Sequence, residues 1–170
     1  MRLILLLTTL ALYTQLSAQS MNNERLGEIL STQTDTLEGG PGNWTFQLGP
    51  IIGMCITDER NNRMRIITPI GEMNTISEEE QLAALYANFH SALDVRYAAA
   101  DGVMWAAFIH PLRELSDGQV EDAISQVFNA AITFGTTYNS TDLVFPGGSG
   151  GEEEPDTGKQ NRSKRDGGRF

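Results

Sequence analysis

The sequence predicts an α+β domain in which helices cover an antiparallel sheet, in the order α-βββ-α-ββ-α. Strand-like runs fall into two groups, residues 44–70 and 95–110, and segments of helical periodicity flank and separate them. Grouped strands of this kind form antiparallel sheets, whereas strands that alternate singly with helices form wound parallel sheets. The second group contains Asp101-Gly102 between two apolar runs, and this dipeptide favours a two-residue hairpin turn.

The N-terminal part of the predicted domain contains a short helix and a loop. Asn22 or Asn23 can cap the helix, which extends to about Thr34. Its apolar residues at helical spacing are Leu26, Ile29 and Leu30. A helix this short is marginal alone, so it is expected to dock on another element. Glycine and proline dominate residues 38–43, which we expect to form a loop.

Three strands are expected next, as an antiparallel meander. Residues 44–48 alternate between apolar and polar side chains, the period-2 pattern of a half-buried strand. Residues 51–57 form a more continuous apolar run, and residues 63–70 place two arginines opposite two apolar side chains. One face of this meander is therefore expected to lie in the core.

The second predicted helix has a clear beginning and an apolar stripe. Ser77 and Glu80 form a capping box. Apolar side chains then recur at i, i+3, i+4, i+7 and i+11, the pattern of a helix that packs on a core. They are Leu82, Leu85, Tyr86, Phe89 and Leu93.

The hairpin and the last helix complete the predicted domain. With Asp101 and Gly102 as the turn, the register pairs Ala100 with Val103, Ala98 with Trp105, and Arg96 with Ala107. Pro111 ends the second strand. The last helix, residues 116–134, begins with a second capping box and ends before Gly135, and it is expected to pack over the hairpin.

Both ends of the chain fall outside this domain, which we assign to residues 19–145. Residues 1–18 have the charged start, leucine-rich centre and small-residue cleavage site of a signal peptide. Their apolar run is shorter than the roughly 20 residues that span a membrane. The mature protein is therefore expected to be exported, either periplasmic or secreted, with no membrane span. Residues 146–170 are rich in glycine, glutamate and basic residues and are predicted to be disordered.

Composition excludes several function classes. Residues 21–147 contain 17 acidic side chains and six arginines, a formal balance of −11 that argues against nucleic acid as a partner. Cys55 is the only cysteine, so no intramolecular disulfide forms, and its apolar surroundings favour a buried structural role. His90 and His110 lack neighbours at ligand spacing, and no nucleophile-base pair is visible. No catalytic, metal or cofactor site is therefore predicted.

Several short stretches carry a family resemblance. They are Arg63-Met64-Arg65-Ile66, Tyr86-Ala87-Asn88, Arg96-Tyr97-Ala98 with Asp101-Gly102, and the Thr-Phe-Gly that ends the last helix. Together with the element order, they make residues 24–145 similar to the bacterial YbjN-type branch of the type III secretion chaperone-like fold. The resemblance implies a non-catalytic protein. The secretion chaperones are homodimers that bind extended effector segments along apolar grooves. Most of these relatives act in the cytosol, whereas this chain has a predicted export signal.

Two sets of side chains are candidates for contact with a protein segment. Half of the domain's arginines lie on predicted strands, where they could bind carboxylates of a peptide or pair across strands with local acidic residues: Arg63, Arg65 and Arg96. An apolar groove would be drawn from four aromatic residues, wherever helices do not bury them: Trp44, Phe46, Trp105 and Phe108.

We therefore expect an exported, non-enzymatic homodimer that binds a protein or peptide segment. The alternatives are a structural or envelope-stability protein with no open groove, and a hydrolase with an unrecognised site. An exposed apolar patch would favour the binding protein over the structural one. A cleft that holds His90 or His110 beside a carboxylate would favour the hydrolase.

Overall fold

The computed structural model describes residues 20–141. The predicted signal peptide, the predicted disordered tail and the apolar residues 143–145 lie outside the described residues. Within the described range, three α-helices and six strands follow one another. They are α1 (Asn23–Gln33), β1 (Thr36–Gly40), β2 (Asn43–Leu48), β3 (Ile51–Asp58), β4 (Arg63–Glu72), α2 (Glu78–His90), β5 (Val95–Ala100), β6 (Val103–His110) and α3 (Asp117–Thr133).

The six strands form one antiparallel sheet in the order β1-β2-β3-β4-β6-β5. A short 3-10 helix (Met73–Thr75) joins β4 to α2. In the β5–β6 hairpin, β6 pairs with β4 of the meander, and β5 is the edge strand of the sheet. The predicted α+β class and antiparallel sheet are confirmed. No helix of residues 20–141 is long and apolar enough to cross a membrane.

Strand β1 corrects the expectation of a loop over residues 38–43. Gly40 pairs with Asn43, so only Pro41 and Gly42 form the turn between β1 and β2. Gly39 has a φ of 94°, and a Cβ atom there would lie 2.4 Å from the backbone oxygen of Asn43. This strand needs glycine at position 39 for its close approach, and only Thr36 among its five residues is of the β-branched type that usually marks a strand.

The core lies between the sheet and the helices α1 and α3. The buried residues of α1 are Leu26, Ile29 and Leu30, as expected. Helix α3 buries Val120, Ala123, Ile124, Gln126, Val127 and Ala130. Outside the core, the guanidinium of Arg25 in α1 lies 2.5 Å from the carboxylate of Asp117 at the start of α3. This hydrogen-bonded contact holds the pKa of Asp117 below its usual value.

The predicted caps and the hairpin register are confirmed. Asn22 caps α1, and both predicted capping boxes are formed, at Ser77 and at Ser116. In the hairpin, Ala100 pairs with Val103, Ala98 with Trp105, and Arg96 with Ala107. Asp101 and Gly102 have φ values of 52° and 76°, the two positive angles that a type I′ turn requires.

Helix α2 departs from its expected orientation. Its buried residues are the small Ala84 and Ala87, whereas the predicted apolar stripe points to solvent. Leu93 does not belong to the helix and has a φ of 49°. The cause is the packing of α2 against β5, the edge strand of the sheet, where Asn88 hydrogen-bonds to the backbone of Tyr97. Small side chains permit this approach, so the large ones turn away.

Candidate protein-binding surface

One face of the sheet is left open by α1 and α3, and we call it the outer face. On β2 to β6, its side chains alternate with those of the core. The strand registers place Ile56, Arg65 and Ile109 side by side across β3, β4 and β6. Ile56 is 36% exposed and Ile109 is 63% exposed. The outer face thus carries an apolar row with an arginine at its centre.

A second row of the outer face lies beside the first. Met54, Ile67 and Ala107 are neighbours across the same three strands. Trp105 lies on β6 two residues before Ala107 and is half-buried beside Pro69 and Ala98. Met54, Ile67 and Trp105 are half-buried and Ala107 is buried, so this second row is less exposed than the first.

Arg63 and Arg65 lie on β4, and both are exposed. Neither side chain makes an ion pair with a carboxylate of residues 20–141, although Asp58 stands opposite Arg63 in the register. Cross-strand pairing with local acidic residues, the alternative role for these arginines, is therefore wrong for this pair. Each guanidinium group can donate two parallel hydrogen bonds to one carboxylate.

Three of the four aromatic residues proposed for an apolar groove lie in the core instead. Trp44, Phe46 and Phe108 are 4–5% exposed. The Trp44 ring packs against Gly27 of α1, and the Phe46 ring lies directly over Gly53 of β3. These side chains cannot line an open groove because the helices and neighbouring strands already cover them. Only Trp105 of the four reaches the outer face.

Arg96 lies on the outer face, but its side chain folds back towards the beginning of β5. Its Nη1 donates to the carbonyl oxygens of Leu93 and Val95. The side chain borders a cleft of about 330 Å³ at the open end of the β5–β6 hairpin, whose lining includes Ile109 but neither Arg63 nor Arg65. The cleft is lined by Asp94, Arg96, Phe108, Ile109, His110, Leu115, Gln119 and Asp122.

This cleft meets the condition that would favour a hydrolase, because it holds His110 beside two carboxylates. However, its lining contains no serine, threonine or cysteine that could act as a nucleophile. The Nδ1 atom of His110 lies 2.8 Å from the carbonyl oxygen of Pro111, and its ring stacks on Phe108. Asp122 accepts a hydrogen bond from the buried Gln126 at 2.6 Å. These contacts give His110 and Asp122 structural partners within the fold.

The remaining candidate groups also have structural positions. Cys55 is fully buried, and burial raises the pKa of its thiol to about 12. In residues 20–141, no three histidine, cysteine or acidic side chains come together as a metal site.

The outer face was not predictable as a unit from the sequence. Ile52 and Ile56 were missed as surface residues because both faces of β3 are apolar in sequence, and Ile109 was missed because it lies in the apolar run of β6. The positions of Ile56 and Ile109 beside Arg65 depend on strand register, and Ile109 is more than 40 positions from Arg65 in the sequence. The available signal was the alternation in β4, which places Arg65 opposite the core residue Ile66.

Comparison with known proteins identifies the fold. No protein-family model matches the sequence, and no curated protein matches it. Solved structures with a similar fold include two complexes of chaperones. One is the HopA1-SchA chaperone-effector complex, with a TM-score of 0.52, 14% identity and coverage of 65% of this chain and 90% of that chain.

A second similar structure is the Yersinia pestis type III secretion chaperone SycH in complex with a stable fragment of YscM2. Its TM-score is 0.51 at 13% identity, and the match covers 66% of this chain and 98% of that chain. The chain therefore has the fold of type III secretion chaperones: a six-stranded antiparallel sheet with three helices.

Proposed function

We propose that this protein is an exported, non-enzymatic binding module of the YbjN type, which holds an extended segment of another protein on its outer face. The observation that carries this proposal is the row formed by Ile56, Arg65 and Ile109. It combines exposed aliphatic side chains with an arginine that lacks an acidic partner among residues 20–141. The chain also has the fold of proteins whose solved structures include bound effector or fragment chains.

The chemistry of the outer face defines the segment that it would hold. Arg63 and Arg65 favour carboxylates, whereas Ile56, Ile109 and Trp105 favour aliphatic or aromatic side chains. An extended chain presents alternate side chains to the surface on which it lies. We therefore propose a ligand segment in which acidic and apolar residues occupy the positions that face the sheet.

Export and self-association are parts of the same proposal. Cleavage after Ala18 would place residues 19–170 in the periplasm or the medium. N-terminal sequencing of the protein from fractionated cells tests this, because a cytosolic protein that retains Met1 contradicts export. The molar mass of the purified protein in solution tests the homodimer, because a monomer contradicts it.

The experiment measures binding of fluorescent 12-residue peptides by anisotropy, with protein purified from cells that express the full chain. One peptide alternates aspartate with leucine, a second replaces aspartate with asparagine, and a third replaces it with lysine. We expect the acidic peptide to bind at least tenfold more tightly than the other two. The variants R65E and I109S should each weaken its binding by at least tenfold.

The matched control is R60E, which makes the same charge change in the turn between β3 and β4. It should change the affinity less than twofold. Equal affinity for the acidic and neutral peptides, or an unchanged affinity in R65E, would contradict the proposed site. A folded protein that binds none of the three peptides would favour the structural or envelope-stability alternative.

A further inference from the structure

Two arginines give the outer face a site for two carboxylates. We call Arg63 and Arg65 the arginine pair; both are exposed, and neither makes an ion pair with a carboxylate of residues 20–141. They lie two residues apart on β4, so their side chains leave the same face about 6.6 Å from one another. Asp58 stands opposite Arg63 but is hydrogen-bonded to Asn61 instead. The arginine pair therefore fits two carboxylates of the same spacing.

The arginine pair is also the place where an acidic segment is attracted rather than repelled. Three of the other four arginines of residues 20–141 already have partners. Arg25 pairs with Glu28 and Asp117, whereas Arg96 and Arg113 donate to backbone carbonyl oxygens. The domain as a whole carries an excess of acidic side chains, which repels an acidic segment from most of its surface.

The chain's own sequence contains an acidic segment with the required spacing. Residues 152–156 read Glu-Glu-Glu-Pro-Asp. In an extended chain, Glu152 and Glu154 project to the same side about 6.6 Å apart, whereas Glu153 projects to the other side. Pro155 favours an extended backbone at the residue before it, which is Glu154. The carboxylates of Glu152 and Glu154 therefore match the arginine pair.

The described chain ends within a short path of the arginine pair. The backbone N–H of Ser140 donates to the carbonyl oxygen of Ser91 at 3.3 Å. Ser91 lies four residues before Val95, which pairs with Phe108, and Phe108 pairs with Ile66 beside the arginine pair. This path measures at most about 24 Å, from about 3.4 Å per residue and about 4.8 Å between strands. Passage to the outer face adds about 10 Å, the thickness of a sheet layer.

The connecting residues are long enough for this path. The twelve residues from 141 to 152 reach about 40 Å when extended. Five of them, residues 147–151, read Gly-Gly-Ser-Gly-Gly, which is the composition of a linker. Because the required path is about 34 Å at most, Glu152 can reach the arginine pair of its own chain.

From these observations we infer that residues 152–156 occupy the outer face of their own chain, with Glu152 and Glu154 bound to Arg63 and Arg65. This inference rests on the proposed function, because it makes residues 152–156 a tethered competitor of the external segment. Each guanidinium donates two parallel hydrogen bonds to one carboxylate. A tethered segment acts at an effective concentration in the millimolar range, so a weak contact suffices to close the site. Only external segments that bind more tightly displace it.

The first experiment detects the contact itself by nuclear magnetic resonance. A nitroxide is attached to T157C in protein purified from cells that express the full chain; the buried Cys55 does not compete for the label. We expect the nitroxide to broaden the amide signals of Arg63 and Arg65 more than that of Ser31, which lies in α1 on the covered face of the sheet. The double variant E152Q/E154Q should abolish this difference.

A matched control and a charge exchange make the test specific. E153Q/D166N also removes two carboxylates from residues 142–170 and should leave the broadening unchanged. R63E/R65E should abolish the broadening, and the further changes E152R/E154R should restore it. Equal broadening at all three amides in the unaltered protein would overturn the inference, and so would broadening that E152Q/E154Q leaves intact.

A mixed sample tests whether the contact lies within one chain. It combines spin-labelled protein that carries no ¹⁵N with ¹⁵N-labelled protein that carries no spin label. We expect no broadening in this mixture, because the segment binds its own chain. Broadening there as strong as in the doubly labelled protein would place the contact between two copies and would overturn the inference.

Peptide affinity separates this inference from the proposed function. The aspartate–leucine peptide should bind E152Q/E154Q at least threefold more tightly than the unaltered protein, and E153Q/D166N should differ less than twofold. Equal affinities, together with no selective broadening, would overturn the inference and leave the proposed function standing. Selective broadening in a protein whose E152Q/E154Q variant binds no peptide would support the contact and contradict the proposed function.

Discussion

The side chain of Asn88 makes two hydrogen bonds with the backbone of Tyr97. The N–H of Tyr97 donates to Oδ1 of Asn88 at 2.7 Å, and Nδ2 of Asn88 donates to the Tyr97 carbonyl oxygen at 3.1 Å. The amide thereby occupies the place that a further strand would take beside β5. It closes this edge of the sheet against pairing with other chains and fixes α2 in position.

Replacement of this amide should destabilise the protein. N88A leaves two part-buried backbone groups of Tyr97 without these partners, which typically costs about 1–3 kcal/mol for an unsatisfied group. We expect the free energy of unfolding in urea to fall by about that amount, and the Tyr97 amide to exchange faster with deuterium. S125A, at an exposed position of α3, should leave the stability unchanged. Equal stabilities for N88A and S125A would contradict this role.

The close packing of the Phe46 ring requires glycine at position 53. A Cβ atom at Gly53 would lie 2.4 Å from this ring, which the surrounding core holds in place. G53A should therefore lower the free energy of unfolding by about 1–3 kcal/mol, the usual cost of overpacking. The control is G40A in β1, where an added Cβ meets no atom within 4 Å. The prediction fails if chemical denaturation shows the two variants to be equally stable.

Cys55 should be chemically inert in the folded protein. The thiolate is the reactive form, and burial raises the pKa of this thiol to about 12. With a chromogenic disulfide at pH 8, we expect labelling only after urea unfolds the protein. Rapid stoichiometric labelling without denaturant would show that the thiol is accessible.

The same pKa shift makes folding stability depend on alkaline pH. The unfolded thiol has its ordinary pKa of about 9, so the folded state holds its proton to higher pH. The stabilisation is therefore complete below pH 9 and is lost as the pH rises towards 12. In C55A, the free energy of unfolding should fall less steeply between pH 9 and 10 than in the unaltered protein. Parallel curves would contradict this assignment.

Tyr97 gives a second and separable alkaline effect. Burial raises the pKa of its hydroxyl to about 12, and the hydroxyl donates to the Ala130 carbonyl oxygen at 2.9 Å. Y97F should cost about 0.5–1.5 kcal/mol at neutral pH through the lost hydrogen bond. It should also flatten the fall in stability between pH 10 and 12. Urea unfolding at pH 10 and pH 12 tests this. If the free energy of unfolding of Y97F falls as much as that of the unaltered protein, other groups cause the fall.

Local patterns in the sequence determined most of the elements. The caps at Ser77 and Ser116 and the hairpin turn at Asp101-Gly102 depend on residues within four positions of one another, and all three are confirmed. The alternation in β4 also identified its exposed arginines correctly. By contrast, β1 has a glycine-rich sequence, and only its pairing with β2 makes it a strand.

Tertiary structure alone decided which apolar surfaces are buried. The sequence shows a stripe of large side chains on α2, but the narrow space beside β5 accepts only Ala84 and Ala87. Similarly, Trp44 and Trp105 both lie on strands, yet the helices cover only the face that carries Trp44. The hydrophobic pattern of the sequence shows that a face is apolar. Whether the chain itself covers that face depends on how elements far apart in the sequence pack together. The surfaces available to a partner therefore follow from packing between residues far apart in the sequence.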